Sequence, residues 1–108
     1  MNNILQSLTT PQFAESIRSN RYALLDVRTA EEFEAGHLAG AINIDVYSPT
    51  FVMDVAHLLP AAPQLAIYCR SGKRSKIAAQ LLAENYSIVE LDGGILDWEA
   101  HQLPVVTE

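Results

Sequence analysis

The chain has 108 residues, of which 49% are hydrophobic and 19% charged, with a formal net charge of −6 and a single cysteine, Cys69. That is enough chain for one core, read as one domain over residues 1–108, and too apolar for a disordered segment. A lone cysteine excludes an intrachain disulfide, a CxxC redox pair and a multi-cysteine zinc site, and the acidic balance argues against nucleic-acid binding.

In chain order, the first ten residues lack the basic stretch and apolar run of a secretory signal. No later stretch approaches the ~18 apolar residues of a membrane span. A membrane role is therefore not expected, and a lone thiol fits a reducing compartment, the cytoplasm. Thr9-Thr10-Pro11 opens a helix with Phe13, Ala14 and Ile17 on its apolar stripe. Tyr22–Val27 is an apolar run that reads as a buried strand. Thr29 and Glu32 form a capping box for a short helix that Gly36 stops. Ala41–Ile44 is a second strand, and Ser48-Pro49-Thr50 opens a helix running to Leu59 and closed by Pro60. Leu65–Tyr68 is a third strand and ends at Cys69. Arg74–Asn85 is a helix expected to bury Ile77, Ala78, Leu81 and Leu82. Ile88–Leu91 is a fourth strand; Gly93-Gly94 turns into a last helix with Ile95, Leu96 and Trp98, ended by Pro104. Alternating strands and helices predict an α/β fold, a central parallel sheet with helices on both faces and right-handed crossovers.

The segment Tyr68–Lys76 carries the chemistry. It leaves a buried strand and opens a helix, the place where α/β sheets bind ligands. Backbone N–H groups of such a loop, with the positive end of the helix dipole, cradle an anion, and Gly72 permits the curvature. Four of the seven basic residues, Arg70, Lys73, Arg74 and Lys76, lie here around the only thiol. Cationic neighbours and a helix N-terminus favour a thiolate, suited to attack an anionic substrate or to carry a transferred group. A free cysteine is commonly a small buried hydrophobe; the coincidence with a Gly-containing basic loop points to a nucleophile instead.

At these residues the sequence resembles the rhodanese family of sulfurtransferases. Asp26-Val27-Arg28 and the run Glu32 to Ile44 resemble its amino-terminal signature. Tyr68 to Ser75 resembles its catalytic loop. Asp92-Gly93-Gly94, Trp98 and Leu103-Pro104-Val105 resemble its carboxyl-terminal signature. Gln102 departs from the pattern, standing where the family usually has Gly before Leu-Pro. The resemblance implies a rhodanese-like fold and a persulfide mechanism. Cys69 would take the outer sulfur of a small anionic donor such as thiosulfate and pass it to cyanide or a thiol. Loop residues Arg70, Ser71, Gly72, Lys73, Arg74 and Ser75 would bind the substrate. No cofactor or metal is implied, and a protein sulfur donor or acceptor remains open. The Cys-x4-Arg spacing of Cys69 and Arg74 fits the sulfurtransferase loop; the related cell-cycle phosphatases use a longer loop, Cys-x5-Arg, which leaves a phosphatase or arsenate-reductase-like enzyme as the lesser alternative.

Asp26 and Arg28 are read, from the resemblance, as structural support of the loop. His37 is read as a packing and hydrogen-bonding residue, Glu31 to Glu34 as a solvated helix face, and Trp98 as core. His37, His57 and His101 show no metal-ligand spacing. Two other functions compete with the enzyme: a carrier module loaded with sulfur by a partner desulfurase, and a redox sensor, against which the missing resolving cysteine counts.

Overall fold

The computed structural model describes residues 3–59 and 64–107. Five strands form one parallel sheet: β1 (Leu5–Leu8), β2 (Ala23–Asp26), β3 (Ile42–Asn43), β4 (Gln64–Tyr68) and β5 (Ser87–Leu91), in the order β1-β5-β4-β2-β3. Five helices connect them: α1 (Thr10–Arg18), α2 (Ala30–Ala35), α3 (Phe51–Leu58), α4 (Lys73–Leu82) and α5 (Gly94–Ala100). The expected parallel sheet with helices on both faces is present.

Period-two alternation along the buried strands builds two core layers. Leu25, Val27, Leu65, Ile67 and Ile88 face Phe51 and Val55 of α3 and Ala78, Ala79 and Leu82 of α4. Ala66, Tyr68, Val89 and Leu91 face Phe13 and Ala14 of α1 and Ile95 and Trp98 of α5. Cys69 continues the parity of Leu65 and Ile67, which turns its side chain toward the α3–α4 layer.

Three expectations need correction. The sheet has a fifth strand, β1, where the sequence shows no apolar run. Three of its four residues are exposed, and it forms an edge that pairs only with β5. The α4 helix ends at Leu82, short of Asn85, and is rotated from the expected face. Ser75, Ala78, Ala79 and Leu82 are buried, whereas Ile77 and Leu81 are 43% and 51% exposed. Small residues at i, i+3 and i+4 let the helix approach the sheet closely, and that preference overrides the larger aliphatics. Third, strand ends are shorter than the apolar runs at β2 and β3. Pro60, the expected stop of α3, lies outside the described residues; the helix itself ends at Leu58.

Candidate active site

The site lies at the carboxyl edge of the sheet, where β4 ends and α4 begins. Cys69 is 1% exposed, and its Sγ accepts the backbone N–H of Gly72 at 3.1 Å. Gly72 is the residue preceding α4, at φ 103°, in the left-handed region. A Cβ there would stand 2.0 Å from the Asp92 carbonyl oxygen, so both conformation and space demand glycine. The start of α4 has no side-chain cap, so its dipole and free amides face the loop.

The loop is held from the other side by α5. The N–H groups of Ile95 and Leu96 donate to the carbonyls of Cys69 and Arg70 at 2.9 and 3.1 Å. These two bonds hold the loop backbone against α5. Gly94 sits at φ 67°, and a Cβ would meet Arg70 O at 2.2 Å. The Gly93-Gly94 turn is therefore part of the site architecture and more than a helix start.

The basic cluster is not one cationic face. Arg74 donates to Glu32 in a bidentate pair, Nη1 to Oε1 at 2.7 Å and Nη2 to Oε2 at 2.9 Å. The Arg74 hydrogen bonds hold the Glu32 carboxyl well down, at about 2, and burial opposes this only in part. Arg74 is raised in turn, chiefly by its hydrogen bonds to Glu32, with burial opposing. Lys76 is tied to Asp92 Oδ1 at 2.8 Å and Glu90 Oε2 at 3.1 Å. Among the described residues, Arg70 and Lys73 form no salt bridge, and both are exposed. Ser71 is exposed at the loop tip. Ser75 is fully buried; its hydroxyl lies 2.7 Å from Glu90 Oε1 and 3.1 Å from Gly72 O, and is turned away from solvent.

Asp26 and Arg28 form a buried pair at the end of β2. Arg28 donates through Nη2 to Asp26 Oδ2 at 2.6 Å and through Nε to Oδ1 at 3.0 Å. The same Nη2 reaches Gly36 O at 2.7 Å, and the guanidinium lies 5.6 Å from the Tyr68 ring centroid. Burial and the Asp26 charge push the Tyr68 phenol up, and its oxygen accepts from Leu38 N–H at 3.0 Å. The pair thus joins β2, the end of α2 and the residue preceding Cys69, without touching the sulfur. A cleft of about 210 Å³ opens beside the loop, lined by Arg28, Glu32, Arg70, Ile95, Leu96 and Glu99, with Ala35 and Gly36.

His37 is 4% exposed, stacks on Phe33 and has Nδ1 2.8 Å from the Phe33 carbonyl, a packing role as expected. Trp98 is 6% exposed and donates to the Pro104 carbonyl. Sequence reasoning missed Glu32 as the partner of Arg74, and Glu90 altogether. The first pair spans 42 positions, with no local signal. The burial of Glu90 was readable, though its partners were not: it shares the parity of Ile88 in a strand buried on both faces. Among the described residues, no group of three or more His, Cys, Asp or Glu is placed to hold a metal, and no helix is long and apolar enough to cross a membrane.

A family profile for the rhodanese-like domain matches residues 9–101. The chain is 34% identical to Thiosulfate sulfurtransferase 18 of Arabidopsis thaliana, a match covering 88% of this chain and 79% of that protein. Senescence-associated protein DIN1 of Raphanus sativus is 32% identical over 85% of this chain, which spans only 56% of that protein's length. Among solved structures, a rhodanese-related protein from Thermoplasma volcanium superposes with a TM-score of 0.81 at 31% identity, covering 95% of this chain and 99% of its own.

Proposed function

This chain belongs to the rhodanese-like domain family of sulfurtransferases, and we propose that it moves a sulfane sulfur from a small anionic donor such as thiosulfate to cyanide or a thiol through a persulfide on Cys69. The supporting observation is the Cys69 sulfur at the base of a backbone cradle, with Gly72 N–H on Sγ at 3.1 Å and the start of α4 above it. The Sγ thiolate attacks the outer sulfur of thiosulfate, a new S–S bond forms, and the old one breaks with its electron pair leaving on sulfite. Cyanide carbon then attacks the outer sulfur of the persulfide, thiocyanate departs, and the thiolate is restored. No proton or external reductant is needed in either step.

In this reading the loop from Arg70 to Lys73 binds the donor, chiefly through backbone amides, with Arg70 and Lys73 as the cations not engaged in an ion pair. Arg74 shapes the loop through Glu32, and Ser75 contributes its main chain. Asp26 and Arg28 support the loop through Tyr68. A buried, reduced nucleophile suits the cytoplasm. The test is thiocyanate production from thiosulfate and cyanide by wild type and Cys69→Ser. Activity in wild type and its loss in Cys69→Ser is expected; full activity in Cys69→Ser contradicts the assignment.

A further inference from the structure

Glu90 lies on β5 with the parity of Ile88, where the α3–α4 core layer asks for an apolar side chain, and it is 1% exposed. Burying a carboxylate is costly unless its oxygens are engaged. Both are. Oε1 accepts from Ser75 Oγ at 2.7 Å, and Oε2 accepts from Ser7 Oγ and, at 3.1 Å, from the Lys76 ammonium. These donors converge on one loop residue. Ser75 Oγ lies 3.1 Å and Lys76 Nζ 3.4 Å from the Gly72 carbonyl oxygen. Ser75 has one hydroxyl proton, and the shorter contact gives it to the carboxylate. The Gly72 carbonyl then faces the ammonium, whose place Glu90 and Asp92 set. On its other side the same Gly72 offers its N–H to the Cys69 sulfur.

We propose that Glu90 is a positioning residue for the Cys69 loop: it anchors Ser75 in the first turn of α4 and sets the Lys76 ammonium against the Gly72 carbonyl, and so keeps the Gly72 amide on the sulfur. A charge buried at an otherwise apolar position is explained by this anchoring, since an apolar residue like Ile88 fills the layer equally well. The proposal goes beyond the sulfur-transfer reading but shares with it Cys69 as the reacting thiol.

The test compares Glu90→Leu, Glu90→Gln and Ser75→Ala by three measurements: thermal melting, the rate of Cys69 alkylation by iodoacetamide, and steady-state thiosulfate–cyanide kinetics. Misplacing a reacting group by an ångström costs up to about a hundredfold, so Glu90→Leu is expected to lower both kcat and the alkylation rate by about tenfold or more, with KM changed less than about threefold. Glu90→Gln keeps an acceptor oxygen for Ser75 but turns an NH2 toward Lys76, so it is expected to recover both rates only in part, between Glu90→Leu and wild type. Ser75→Ala is expected to follow Glu90→Leu in direction. Wild-type alkylation and kcat in folded Glu90→Leu overturn the proposal, as does a loss that only tracks the unfolded fraction, or Glu90→Gln behaving as Glu90→Leu. If Glu90→Leu does not fold, Ser75→Ala decides: unchanged rates overturn the proposal and lowered rates support it. Alkylation reads the loop even if no sulfur is transferred, so absence of thiocyanate in wild type overturns the function and leaves this arm intact.

Discussion

Gly72 is the residue on which the cradle turns. Its φ of 103° excludes comfortable L side chains, and the 2.0 Å approach of Asp92 O leaves no room for a methyl group. The left-handed conformation alone costs a non-glycine residue about 1–2 kcal/mol, and the backbone clash adds to it. Gly72→Ala is therefore expected to lower the melting temperature by about 10 °C or more, at ~4–8 °C per kcal/mol, or to prevent folding. A Gly72→Ala protein melting with wild type contradicts the loop geometry. The need for glycine was legible in the sequence, because a tight loop between strand and helix is where φ turns positive. Its cause was only half legible: the clash comes from Asp92, twenty residues away in the chain.

At the scale of elements, helix ends and pairings carry the differences. The end of α5 is a Schellman motif: Leu103 N–H donates to Trp98 O at 3.3 Å and Gln102 N–H to Glu99 O at 2.8 Å. Gln102 holds the left-handed position at φ 60°, so the turn survives without the expected glycine. Gln102→Gly removes a strain of about 1–2 kcal/mol and adds about 0.5–1 kcal/mol of unfolded-state entropy, so stability should rise by about 0.5–1 kcal/mol. Thermal melting should show an increase of about 2–8 °C, and a decrease contradicts the account. The Glu32–Arg74 pair joins α2 to α4 and is only partly exposed. Glu32 is lowered from 4.5 to about 2. Its contribution is thus fully present above the unfolded value and is lost as pH falls through the folded one. Glu32→Gln should melt ~5 °C below wild type near neutral pH, for a pair worth about 1 kcal/mol, and the gap should close between pH 4.5 and 2. A gap independent of pH across that window contradicts the pairing. Neither β1 nor the rotation of α4 was legible. An exposed edge strand lacks an apolar run, and Ile77 and Leu81 mimic a core face that Ala78, Ala79 and Leu82 occupy.

For the whole molecule, a parallel sheet with its loops at one edge gathers the only thiol, an uncapped helix start and four basic residues in an otherwise acidic protein. The layers and the loop were legible because buried parallel strands are near-continuous apolar runs and because the basic cluster is local. The neutralisation of Arg74 and Lys76 was not, since Glu32 and Glu90 arrive from other elements. Under the proposed function, the anion is then held mainly by the backbone of the loop, with Arg70 and Lys73 as the loop cations that form no salt bridge among the described residues. The central claim is that the Cys69 sulfur, set under that cradle, receives the transferred atom. The direct measurement is mass spectrometry of the intact protein and of its Cys69 peptide after thiosulfate, and again after cyanide. The account predicts one added sulfur on Cys69 that cyanide removes; a protein that gains no sulfur, or carries it equally in Cys69→Ser, contradicts it.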